Sequence, residues 1–146
     1  MKAALLAVAF LAAALPLAAA QMKSDRPRST KKMNEIQGIA RLKINVGKLD
    51  AFKRVSSQCL QVVRMKDTGT LQFELYFNSD QTECIVLERY RDLRSMREHQ
   101  KNMGELMGAL LETCSGSTVV CGRPTPELVK TFDGSPVQLF SPYQAL

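Results

Sequence analysis

The chain has 146 residues and a formal charge of +6, so it holds one domain with a real core but not two. Six of its twenty basic residues (Lys2, Lys23, Arg26, Arg28, Lys31 and Lys32) precede Asn34 against the single acid Asp25, which leaves the remainder at a net of +1. A duplex binder concentrates charge on its folded face, so nucleic acid is excluded as a leading partner.

Residues 1–20 read as a secretory signal peptide: Lys2 is the positive n-region, Ala3 to Leu15 the apolar stretch, and Ala18-Ala19-Ala20 a small-residue cleavage site. Two rivals stay open, an uncleaved membrane anchor and a mis-assigned start whose true position is Met33. The apolar stretch is short for a span and rich in alanine, so no stable membrane span is expected in the mature chain. A real signal implies a secreted or periplasmic protein, and a start at Met33 a cytoplasmic one. Residues 21–33, polar, basic and proline-containing, read as a disordered linker before a domain over 34–146.

"IQGIARLKINV" (36–46) alternates as a strand does, and Gly47 ends it. Leu49, Phe52, Val55, Cys59, Val62 and Val63 recur at helical spacing within 48–66, and "DTG" (67–69) is a turn. "TLQFELYFN" (70–78) and "ECIVLERY" (83–90) alternate again across a hairpin loop. Helical spacing returns through Leu93, Met96, Gln100, Met103, Met107, Leu110 and Leu111, with a break expected near Gly104. A short strand (117–122), a capped helical turn (125–132) and an extended segment (137–143) complete the chain. The order is β-α-β-β-α-β plus a C-terminal extension, the ferredoxin-like split βαβ pattern of an α+β fold.

In that topology helices cover one sheet face. Ala40/Leu42/Ile44, Leu71/Phe73/Leu75 and Ile85/Leu87 are the apolar sets expected there. The opposite face would then carry Arg41, Lys43, Asn45, Gln72, Glu74, Tyr76, Glu88 and Tyr90. Such a face is either a wet sheet surface or a cleft closed by a partner subunit. The four cysteines lack C-x2-C spacing and His99 is the only histidine, so no metal site is expected. Export would allow Cys114 to pair with Cys121; the alternative is four small core residues. No phosphate loop or nucleophile elbow is present.

"FELYFNSDQTECIVLERYRDLRSMREHQKN" resembles the antibiotic biosynthesis monooxygenase family, which includes quinol monooxygenase-like proteins: a strand ending Glu88-Arg89-Tyr90, the acid Asp92 opening a helix, and His99 one to two turns on. The resemblance covers about 35–146 and implies a dimeric α+β barrel, a homodimer with a cavity between each sheet and its helices. It implies cofactor-independent oxygenation of a quinol or polycyclic phenol by dioxygen. His99 would be the base, Arg41 would stabilise the oxyanion, and Tyr76 would orient the substrate. Tyr90, Glu88 and Glu74 would contact the substrate. For each a bland alternative stands beside this: a supporting position for His99, a structural hydrogen bond for Glu88, packing for Tyr76, and cross-strand charge balance with Glu74 or Glu88 for Arg41. The chain departs from several relatives in having no tryptophan. A haem-binding or haem-degrading branch of the superfamily is one alternative, with His99 as proximal ligand, although that branch's tryptophan and early-strand asparagine have no match. A non-enzymatic, dimeric ligand-binding protein is the other.

Overall fold

A computed structural model describes residues 34–144. The expectations for the signal peptide, the linker and a start at Met33 lie outside the described residues.

Alternating apolar positions build the strands β1 (Ile36–Ile44), β2 (Thr70–Phe77) and β3 (Glu83–Tyr90). The helix α1 (Leu49–Lys66) joins β1 to β2 and buries Phe52, Ser56 and Cys59 along one stripe. After β3, Asp92 caps α2 (Leu93–Met103) by accepting a 2.8 Å hydrogen bond from the Ser95 N–H, which satisfies one of the orphan donors of the first turn. Gly104, at φ +44°, breaks the helix where expected, and α3 (Glu105–Leu111) continues it. Then come β4 (Cys114–Cys121), α4 (Pro126–Phe132, capped by Thr125) and β5 (Gln138–Phe140).

The sheet order is β2-β3-β1-β4-β5, with β5 parallel to β4 and every other neighbouring pair antiparallel. This is the ferredoxin-like arrangement with one strand added at the β4 edge, and the α+β expectation holds.

Register decides which face each side chain takes. Leu42 lies opposite Cys84, Ala40 opposite Val86 and Gly38 opposite Glu88. Cys84, Val86, Glu88 and Tyr90 therefore point to the helices, and Ile85 and Leu87 to the other face. The expected assignment of β3 is inverted. Both halves of β3 are apolar enough to be buried, so alternation within the strand carries no preference; pairing with β1 sets it. Arg41, Glu74 and Tyr76 do lie on the open face, as expected, but without Glu88 and Tyr90.

The core has two clusters, one around Leu42, Ile44, Phe52, Cys84, Val86 and Cys114, the other around Ile36, Tyr90, Met96, Val120 and Leu128. On α2 the buried stripe is Met96, His99 and Met103; Gln100, expected on it, is exposed. All four cysteines are free. Cys114 and Cys121 cap opposite ends of one strand, roughly 23 Å apart at the usual rise, and cannot form a disulfide. No helix among the described residues is long and apolar enough to cross a membrane.

Candidate active site

The helical stripe that buries Met96 and Met103 carries His99 inward with them, leaving it 2 % exposed. It sits where the two core clusters meet. Its ring lies 5.2 Å from that of Tyr90 and 5.7 Å from that of Phe73, centroid to centroid. A polar ring in such surroundings needs partners for its nitrogens.

Nδ1 of His99 lies 2.7 Å from Oδ2 of Asp67, whose side chain is 1 % exposed. Asp67 closes the C-terminus of α1, its backbone N–H donating to the Val63 carbonyl. Two further donors hold the carboxylate: Thr70 Oγ1 reaches Oδ2 at 2.7 Å, and Asn102 Nδ2 reaches Oδ1 at 2.8 Å. Burial pushes the Asp67 carboxyl up, but the hydrogen bonds from Asn102, Thr70 and His99 outweigh it and hold the group below its ordinary value. The acid is ionised at neutral pH.

On the other side of the ring, Nε2 lies 4.0 Å from Oε1 of Glu88. The Tyr90 hydroxyl donates to Oε2 of Glu88 at 2.8 Å. Burial, with the charge of Glu88 and this hydrogen bond behind it, pushes the Tyr90 phenol up, so it stays protonated and donates. Gly38 faces Glu88 across the strand pair, and a Cβ there would stand 3.0 Å from Oε2. The absent side chain makes room for the carboxylate. Glu88, about a quarter exposed, connects the enclosed histidine to solvent.

The turn carrying Asp67 is tied to α2 at several points. Thr68 Oγ1 donates to Glu98 at 2.8 Å, and Gly69 approaches Ser95 closely enough that a Cβ would fall 1.9 Å from its Oγ.

Of the six residues expected at a site, His99, Glu88 and Tyr90 come together. Arg41, Tyr76 and Glu74 do not join them: they project from the opposite face, where Arg41 pairs with Glu83 at 2.7 Å and Tyr76 donates to Glu74. Asp67 was missed, because "DTG" reads as turn chemistry and its partner lies 32 residues away. A cavity of about 300 Å³, lined by Glu35, Gln37, Arg89, Cys121 and Phe140 among others, also opens on that opposite face. The cavity expected between sheet and helices is, around His99, occupied by Phe73, Tyr90 and Glu88. Among the described residues no group of three His, Cys, Asp or Glu side chains is placed to hold a metal ion.

Comparison with known proteins gives a consistent placement. The fold matches the crystal structure of MupZ from Pseudomonas fluorescens with a TM-score of 0.69 at 21 % identity, over 77 % of this chain and 93 % of that one. It also matches Rv0793 from Mycobacterium tuberculosis (TM-score 0.54, 21 % identity, 60 % and 92 % coverage). A third match is SnoaB, a cofactor-independent oxygenase from Streptomyces nogalater (0.54, 15 %, 64 % and 97 %). No functionally curated protein matches the chain. Residues 38–104, from β1 to the break after α2, match the family profile described as antibiotic biosynthesis monooxygenase, and this stretch contains Asp67, Glu88, Tyr90 and His99. Over residues 38–104 the chain is thus similar to the antibiotic biosynthesis monooxygenase family.

Proposed function

We propose that this protein is a cofactor-independent monooxygenase acting on a quinol or related phenol, with His99 as the base. The observation that carries the reading is the enclosed imidazole between two carboxylates, in a stretch similar to the monooxygenase family. Triplet dioxygen reacts slowly with closed-shell molecules, whereas a phenolate gives up an electron readily. The ring is enclosed, so the substrate has to reach it from the side of partly exposed Glu88, displacing packing there. The His99 ring then takes the phenol proton, breaking O–H and forming N–H. The phenolate passes one electron to dioxygen, and the radical pair joins as a C–O bond at an unsubstituted ring carbon. The imidazolium returns its proton to that peroxide. Loss of water, which also takes the hydrogen of the oxygenated carbon, leaves a quinone, so one oxygen atom enters the product and the other leaves as water. No external reductant is needed. Glu88 faces the imidazolium that forms and stabilises its charge, while Tyr90 fixes Glu88.

The haem alternative fits these residues poorly. With Nδ1 held by Asp67, Nε2 is the ring nitrogen left to ligate iron, and a porphyrin there would have to displace Glu88, Tyr90 and Phe73 from around a ring that is 2 % exposed. The protein is proposed to act as a homodimer. Half-buried Ile39, Ile85 and Leu87 on the open sheet face support this, since they are apolar surface that a second copy would cover.

The test is oxygen uptake by the purified protein in chelator-treated buffer with a panel of quinols, beside a haem titration followed by absorbance. The expected result is uptake matched by quinone formation and reduced about 100-fold or more in His99→Ala. No uptake with any quinol, or a Soret shift lost in His99→Ala, overturns the reading.

A further inference from the structure

Which ring nitrogen of His99 takes the proton is decided by the surroundings of Asp67. We propose that Asp67 is the positioning residue of this site, holding His99 as the Nδ1–H tautomer so that Nε2, on the Glu88 side, carries the lone pair. This rests on the role of His99 as base.

An ionised carboxylate only accepts hydrogen bonds, so across the 2.7 Å contact Nδ1 is the donor. Asp67 cannot turn away. Oδ2 is shared by His99 and Thr70, Oδ1 receives the Asn102 amide, and the backbone is fixed at the end of α1. Asn102 and His99 are one turn apart on α2, so helix geometry alone brings both to the same carboxylate. The charged and titratable groups facing the ring are then Asp67 from the turn after α1, and Glu88 and Tyr90 from β3. The lone pair of Nε2 then faces Oε1 of Glu88 across 4.0 Å. A phenolic hydroxyl entering there donates its single proton to Nε2, leaving Glu88 to face the imidazolium that results. Asp67 also stabilises the imidazolium once Nε2 has taken that proton, without itself becoming protonated.

Because His99 is the only histidine, histidine-selective ¹⁵N labelling yields one imidazole spectrum. Nitrogen–proton correlations recorded above the ring's own titration should show a single neutral tautomer, protonated at Nδ1. In Asp67→Ala the signals should move to the Nε2–H form or to an exchanging mixture. Asn102→Ala, which leaves the carboxylate in place, should keep the Nδ1–H form. Asp67→Asn should lower kcat for quinol oxidation about 100-fold with KM within about threefold. An Nε2–H tautomer in the unmodified protein overturns the inference even if Asp67→Ala does not fold. The tautomer needs no turnover, so the two readings fail separately. Nδ1–H without oxygen uptake removes the oxygenase and keeps the positioning role; uptake with Nε2–H does the reverse.

Discussion

Replacing Gly69 by alanine tests how the candidate site is tied to the fold. Gly69 is buried, and a Cβ there would stand 1.9 Å from Ser95 Oγ, 2.4 Å from Ser95 Cβ and 3.5 Å from Ser95 Cα. The hydroxyl could rotate away only by giving up its 2.8 Å hydrogen bond to Asp92. The Cβ cannot be moved by any side-chain rotation, so ordinary contact requires the backbones to separate by more than an ångström. That separation is resisted on both sides: the Gly69 carbonyl accepts the Arg91 N–H at 3.0 Å, and the Ser95 N–H is held by the cap of α2. Overpacking of this kind costs about 1–3 kcal/mol, and with backbone on both sides the value should lie near 3 kcal/mol. For a domain of this size that lowers Tm by roughly 10 °C. Urea unfolding of the single mutants and of Gly69→Ala/Ser95→Gly gives the coupling directly. Ser95→Gly alone should destabilise, through loss of the Asp92 bond and helix propensity, yet recover at least half the cost in the Gly69→Ala background. Gly69→Ala within about 0.5 kcal/mol of the parent, or costs that simply add, would refute the steric argument.

Phe52 is fully buried in the first core cluster, so Phe52→Ala should cost about 3–5 kcal/mol, read from urea midpoints. Asp67, held below its ordinary value of about 3.9, contributes stability that is complete above that pH and is lost as pH falls through its lower folded value. Unfolding curves between pH 5 and pH 3 should therefore show a smaller acid-induced loss in Asp67→Asn than in the parent; an unchanged slope counts against an ionised, hydrogen-bonded Asp67. Arg41→Ala should cost under about 1 kcal/mol, because its pair with Glu83 is exposed. The same variant should leave oxygen uptake within about twofold, and a tenfold loss would return Arg41 to the site. Thr125→Ala, which removes the cap that accepts from the Leu128 N–H, should cost about 1 kcal/mol in thermal unfolding.

Elements were legible in the sequence where one local signal dominated, and the site was not, because it depends on which elements meet. The strand at 83–90 is a case in point, since its bounds follow from alternation alone. Its facing does not, because Cys84 and Val86 compete with Ile85 and Leu87 as the inward set. A one-residue change of phase moves Glu88 and Tyr90 from a surface shared with Arg41 to the helix side shared with His99. The correct phase is fixed only when β1 supplies Ala40 and Leu42 as partners, and at Gly38 a space for a carboxylate that most side chains would fill. Asp67 was hidden for a related reason. An aspartate before Thr-Gly at a helix end has an adequate local explanation, and a residue that satisfies one rule gives no sign of obeying a second. What discloses it is burial: a carboxylate 1 % exposed must find donors. The donors here come from Thr70, three residues away, and from His99 and Asn102 on the second helix. The histidine gave a local signal that could have been used. Met96, His99 and Met103 fall on one helical stripe, and an imidazole among buried methionines requires a polar partner delivered by another element.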